Sequence, residues 1–129
     1  MKTLISLLLL KVLLLSECLV YDDYIVDTKS NIMWAPEGVT GRRWDNALNQ
    51  CATLNHGGYS NWLLPNINEL LTLRTVAHQQ NRPNCPDIDR LWSSTTAKIT
   101  TKAYLTDGTV LTITPKTYTR GYRCIRKVY

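Results

Sequence analysis

Between Lys116 and Lys127 the chain places five cations, Lys116, Arg120, Arg123, Arg126 and Lys127, with no acid among them. Arg42 and Arg43 add a second basic point. Guanidinium and ammonium groups at this density offer charge-assisted hydrogen bonds to sulfate, phosphate or carboxylate. Arg42, Arg43, Lys116, Arg120, Arg123 and Arg126 are therefore the candidate anion-binding residues. On one continuous strand Arg123 and Arg126 point to opposite faces, so the whole run cannot form a single patch. The competing use of the same charges is a solvated edge strand that resists aggregation.

The other reactive side chains are four cysteines, Cys18, Cys51, Cys85 and Cys124. Four cysteines allow three pairings. Cys51 falls in a predicted helix and Cys124 in the last predicted strand. A bond between them would tie the two ends of the domain together, worth about 4 kcal/mol in the chain-entropy model. That pairing is expected. It leaves Cys18 and Cys85, which pair if Cys18 is retained and carries no lipid; otherwise Cys85 is free or bonds another chain. A redox role would need closer thiol spacing or a neighbouring base. No two cysteines have metal-ligand spacing, and His56 and His78 stand far apart, so no metal site and no cofactor is expected. Asn84, Asp87 and Asp89 could hold a cation only weakly. No Ser, His and acid cluster stands out, and no nucleic-acid motif is present. The expectation is a protein that is not an enzyme and has no nucleic-acid partner.

Met1 to Leu15 reads as an export signal. Lys2 supplies the positive start, and Leu4 to Leu15 is nearly all apolar apart from Lys11. The run is too short to span a bilayer, which takes about 20 residues; the competing reading is a short uncleaved anchor. Leu15-Ser16-Glu17-Cys18 has the outline of a bacterial lipoprotein signal and makes Cys18 a candidate lipidation site. Glu17 stands where a small residue is usual, and a cut after Ser16 would suit an ordinary signal peptidase. Residues 1–17 are thus set apart as the export signal, 18–23 as a short tail and 24–129 as one domain. From Cys18 onward the chain carries 13 Lys and Arg against 9 Asp and Glu. That balance favours acidic partners without selecting one.

The elements that must position these groups are legible in outline. Tyr24–Asp27 and Asn31–Trp34 read as short strands, followed by turn signals at Pro36, Gly38 and Gly41. Trp44, Ala47, Leu48, Cys51 and Leu54 recur at helical spacing and predict an amphipathic helix over 43–54. His56-Gly57-Gly58 is expected to end it. After the extended piece Trp62–Leu64, Pro65 and Asn66 introduce a second helix over 67–76, with Asn66 and Glu69 spaced as a capping box. A polar loop, 77–90, follows. Leu91–Thr95, Lys102–Thr106, Val110–Thr114 and Tyr122–Val128 are rich in strand-forming residues, and Asp107-Gly108 is a hairpin signal. Helices ahead of a run of strands predict an α+β domain, with the early strand pairing a late one so that the chain ends meet.

Six segments in order carry a family resemblance. They are Asp27–Trp34 with its Met-Trp ending, Trp44-Asp45-Asn46-Ala47 through Cys51 and Leu54, and Gly57–Leu73 with its Trp-x-Leu-Pro-x-x-x-Glu-Leu core. Leu91-Trp92-Ser93-Ser94-Thr95, Ala103–Gly108 and Tyr122-Arg123-Cys124-Ile125-Arg126 complete the set. Together they resemble the Lcl C-terminal domain family, named from collagen-like adhesins of Legionella, over about Tyr24 to Lys127. Two positions depart from its pattern: Asn61 stands where the family has Asp, and Leu63 where it has Arg. The collagen-like repeats of those adhesins are absent from this sequence.

The resemblance implies a C-type-lectin-like variant: two helices packed on a twisted antiparallel sheet with the termini close together. It implies a non-enzymatic binding or adhesion module, exported to the periplasm, outer membrane or surface of a bacterium. Its partner would be a protein or an anionic glycan, presented to the 77–90 loop and its neighbours. The alternative is a small structural subunit, held to the membrane only by a lipid on Cys18, in an envelope assembly such as a secretion system or pilus. Trp34, Trp44, Trp62 and Trp92 sit inside the matching segments. Core packing is the expected use of all four, against stacking on sugar rings.

Overall fold

In the computed structural model, residues 18–28, 30–71, 85–86, 90–98, 101–107 and 110–128 are described. Residues 1–17, read from the sequence as an export signal, and nearly all of the 77–90 loop lie outside them. Among the described residues, nine strands and helix α1 (Trp44–Ala52) are arranged in an α+β fold of three antiparallel sheets. The first sheet runs in the order β1 (Cys18–Val20), β2 (Ile25–Asp27), β3 (Ile32–Trp34), β9 (Ile125–Lys127). β4 (Val39–Arg42) pairs with β8 (Arg120–Tyr122), and β5 (Trp92–Thr96), β6 (Lys102–Asp107) and β7 (Val110–Pro115) form a meander. A second helix begins at residue 67, with 67–71 described. Among the described residues, no helix is long and apolar enough to cross a membrane.

The chain closes through β3 and β9, which pair antiparallel from Ile32↔Lys127 to Trp34↔Ile125. β3 is buried at all three positions. Alternate residues of a strand face opposite sides of the sheet. Met33 accordingly joins one core with Ala47, Cys51, Trp62, Trp92, Leu105 and Cys124. Ile32 and Trp34 join the other, with Cys18, Ile25, Leu70, Leu91 and Ile125. Each core holds a disulfide: Cys51–Cys124 in the first, Cys18–Cys85 at the margin of the second. The first is the expected pairing, and the second is one of the alternatives the sequence left open for Cys18 and Cys85. A lipid on Cys18 and its bond to Cys85 are mutually exclusive uses of one sulfur, and in this structure the sulfur is in the bond.

Local chemistry explains most element boundaries. Ala47 and Cys51 are fully buried on α1, with Trp44 and Leu48 packed beside them. The capping box forms in both directions: Glu69 N–H donates to Asn66 Oδ1 at 2.8 Å, and Asn66 N–H to Glu69 Oε1 at 2.9 Å. Thr95 Oγ1 accepts from Ile67 N–H at 3.0 Å, so β5 completes the cap. β6 and β7 pair as far as Asp107↔Val110, in agreement with the hairpin signal.

Five expectations are corrected. The final strand over 122–128 is two strands, β8 and β9, separated at Arg123 and Cys124. The tail 18–23 contributes strand β1, and Val39–Arg42 is a strand and not a run of turns. Gly57 and Gly58 form the turn between His56 and Tyr59, well after α1 has ended. The first and last described strands share one sheet but lie at its opposite edges and do not adjoin, since β2 and β3 lie between β1 and β9.

Replacing Cys51 and Cys124 together by alanine is expected to lower unfolding free energy by about 4 kcal/mol. The urea midpoint checks this, and an unchanged midpoint would show that packing alone holds α1 to the terminal strands. Asn66→Ala is expected to cost about 1 kcal/mol through loss of the cap. Glu69→Gln, which keeps an acceptor for Asn66 N–H, should lose less.

Candidate functional site

The six candidate cations divide into two groups in space. Arg42, Arg43, Lys116 and Arg120 gather where β4, β8 and the start of α1 meet. Arg123 and Arg126 lie elsewhere, as expected of a run that cannot face one way. The division arises differently, because Arg123 occupies the break between β8 and β9 and not a strand position.

A β-bulge assembles the first group. Val39 pairs with Tyr122, yet Arg42 pairs with Arg120, so three steps on β4 match two on β8. Gly41 holds the extra residue at φ +68°, in the left-handed region where a side chain is strained. The extra residue sets Arg42 directly across from Arg120. Like charges facing each other across strands destabilise a sheet. Each guanidinium is satisfied only in part. One nitrogen of Arg42 donates to the carbonyls of Thr40 and Gly41, both at 3.3 Å, and one of Arg120 donates to Thr119 O at 2.8 Å. A guanidinium has five N–H donors, so donors remain on both for a ligand, and the Arg120 guanidinium also lies 5.3 Å from the centre of the Tyr118 ring.

Lys116 and Arg43 are more constrained. Trp44 N–H donates to Lys116 O at 3.3 Å, and Lys116 Nζ lies 3.8 Å from the centre of the Trp44 ring while donating to Thr96 Oγ1 at 3.2 Å. Lys116 thus covers the one tryptophan that is not fully buried. The other three are at 0–2 % exposure. Indole N–H groups brace the neighbouring turns: Trp44 donates to Ser93 O at 2.8 Å, Trp92 to Arg42 O at 3.0 Å, and Trp62 to Tyr59 O at 3.1 Å. The tryptophans are core and scaffold residues, and Trp92 holds the backbone of Arg42 in place. Arg43 lies 4.0 Å from Asp45 in an exposed pair, which contributes little to stability.

Beside this cluster runs a groove of about 910 Å³ that includes Arg90, Arg120 and threonines 40, 112, 114 and 119, with Leu91 and Leu105 as apolar wall. None of its described lining residues is acidic. Thr112 Oγ1 is closed off from solvent and has no hydrogen-bond partner. Gly121 lets three segments converge here: an added Cβ would meet Arg90 O at 3.3 Å and Val39 O at 3.4 Å.

The second group is structural. Arg123 donates through Nε to Ala35 O at 2.8 Å and also to Pro36 O, fastening the end of β3 to the β8–β9 break. Burial lowers its pKa, and the charge of Glu37 opposes that shift. Arg126 stacks 4.1 Å from the centre of Tyr59, whose ring meets Tyr24 edge-on at 5.8 Å. Lys127 pairs with Glu69 at 3.8 Å.

The family model of the Lcl C-terminal domain matches residues 23–126. The chain belongs to the Lcl C-terminal domain family. No curated protein matches it at a significant level. As a member of that family, with two disulfides, the chain is a small disulfide-stabilised module of a kind consistent with export. Sequence spacing alone did not single out Gly41, Arg90 or Gly121 as parts of the site. Gly41 carried a turn signal that is equally the signal of a bulge, and the other two enter only through tertiary contact.

Tyr122, opposite Val39 on β8, reports on the charge at this end. Its hydroxyl donates to Gln50 Oε1. Burial raises its pKa above 10.0, while Arg42 pulls it down. The folded chain therefore holds this proton more tightly than the unfolded chain. The resulting stabilisation is whole below the unfolded value, near pH 10, and is lost as pH rises through the folded value. Arg42→Gln should move the Tyr122 titration to still higher pH. Difference absorbance of tyrosinate against a Tyr122→Phe background measures this, and an unmoved titration would mean that the Arg42 charge is fully screened there.

Proposed function

We propose that this Lcl C-terminal domain is a non-enzymatic, exported binding module on a C-type-lectin-like scaffold, and that its ligand is anionic. The Arg42–Arg120 pair carries this reading. A bulge sets two arginines directly across from each other, beside a groove with threonines and no described acid in its lining. An oxoanion between them would relieve the repulsion and accept bidentate hydrogen bonds. Sulfated glycan and an acidic protein segment both present such groups. The compartment proposed is the periplasm, outer membrane or surface of a bacterium, where disulfides persist.

A second reading has one observation in its favour. β1 is an outer strand of its sheet, and Leu19, Val20 and Tyr21 on and after it are exposed at 43 %, 60 % and 49 %. An apolar sheet edge suits packing against another chain, as a structural subunit of an envelope assembly would require. Co-purification of the exported protein in a large envelope complex, lost in a Leu19→Glu/Val20→Lys variant, would favour it.

For the leading reading, Arg42→Gln/Arg120→Gln is expected to weaken binding to heparin by at least about tenfold, from the loss of two charge-assisted contacts. Its melting temperature should stay level or rise, because a repulsion is removed. Arg126→Gln, remote from the cluster, should elute from heparin nearly as the parent does. Equal retention of all three proteins would reject the cationic end as the binding surface.

A further inference from the structure

A second cavity, of about 680 Å³, lies between the end of α1 and the connection from β3 to β4. Ala35, Val39 and Leu54 give it apolar wall, and Cys124 of the central disulfide lines it as well. Gln50, Asn55, His56 and Tyr122 add polar atoms. Its size and its mixture of apolar wall with few polar groups suit a small ligand.

The charge of this cavity is opposite to that of the groove. Its described lining contains two carboxylates, Asp22 and Glu37, and neither Lys nor Arg, in a chain with 15 such cations. Both carboxylates are exposed, and neither is in an ion pair among the described residues. α1 ends at this wall, with Thr53 as its C-cap and no basic residue in its last turn. The carbonyl end of a helix carries about half a negative charge, usually offset by a basic side chain. Here that offset is missing. Arg123, bonded to the Ala35 and Pro36 carbonyls, keeps its charge and offsets part of that of Glu37, which leaves Asp22 and the helix end as the less compensated part of the wall. Tyr122 gives its proton to Gln50, which leaves the Gln50 amide hydrogens and the phenol lone pairs for a guest.

We infer that this cavity binds a small organic cation, a primary ammonium group on an apolar stem. The stem lies against Ala35, Val39 and Leu54, and the ammonium sits between the carboxylates and the helix end. Val39 borders both this cavity and the groove, so the protein carries two neighbouring binding sites of opposite charge preference. An ammonium can belong to a free amine or to a lysine side chain. The concave form of the cavity favours the free amine.

The test uses the exported protein with both disulfides intact and four probes: hexylamine, hexanol, hexanoate and N-acetyl-lysine methylamide. Amide NMR signals of 53–56 and of Val39 should shift saturably with hexylamine. Hexanoate, of the same length and opposite charge, should bind at least about tenfold more weakly, with hexanol between them. Asp22→Asn/Glu37→Gln should weaken hexylamine by about tenfold while leaving hexanol affinity and the melting temperature unchanged. N-acetyl-lysine methylamide binding more weakly than hexylamine supports the free amine as ligand; tighter binding overturns that assignment in favour of a partner's lysine. Hexanoate equal to hexylamine, or hexylamine affinity unaltered in Asp22→Asn/Glu37→Gln, would overturn the inference altogether. Arg42→Gln/Arg120→Gln should keep hexylamine affinity or raise it slightly, because the Arg42 charge reaches Tyr122 in the cavity wall, while heparin binding falls; the two sites therefore succeed or fail separately.

Discussion

Strand β3 is the constraint on which the rest of the structure depends. Three residues, Ile32, Met33 and Trp34, are buried on both faces at once. A strand with two buried faces forces the interior into two cores, one on each side. Neither core is large, and a chain of this length buries only a modest share of its surface. Each is accordingly closed by a covalent bond. Cys51–Cys124 ties α1 to the break between β8 and β9 on one side, and Cys18–Cys85 anchors the first strand on the other. Pairing of β3 with β9 then fixes where the basic C-terminal segment must run.

That placement decides the charge distribution. The break at Arg123 and Cys124 gives β8 to one sheet and β9 to another. Arg120 thereby joins Arg42 at the far end of the molecule, while Arg126 stacks on Tyr59. The bulge at Gly41 finishes the arrangement by adding one residue to β4. Repulsion across the Arg42–Arg120 pair costs stability. A fold that tolerates such a pair while spending indole hydrogen bonds on the adjacent backbone holds a charged surface in a fixed form. The acid-lined cavity at the end of α1 is the counterpart. A chain with a modest net charge can still line two neighbouring hollows with charges of opposite sign.

Much of this was legible residue by residue. Ala47 and Cys51 announced the buried face of α1 through their spacing, because a helix repeats every 3.6 residues whatever surrounds it. Asn66 and Glu69 announced the second helix start, since a capping box is satisfied entirely within four residues. The hairpin between β6 and β7 was signalled by Asp107-Gly108 for the same reason. Less legible were β1 and β4. Cys18–Val20 is three residues long and Val39–Arg42 contains a glycine bulge, so neither shows the alternation that marks a strand. Both form because a partner strand is waiting, β2 for the first and β8 for the second.

The sequence by itself determined most elements in the middle of the chain, that the tryptophans with Cys51 and Cys124 belong to the interior, and the family to which the domain belongs. These are properties of local spacing, and they survive without knowledge of the fold. Tertiary structure alone decided which cations stand together, where the terminal strand breaks, and that an acidic cavity faces the end of α1. Residues such as Arg42 and Arg120, or Asp22 and Glu37, are brought together by strand register and by a bulge. Register is set by the burial of whole faces, a global quantity that no short window of sequence contains.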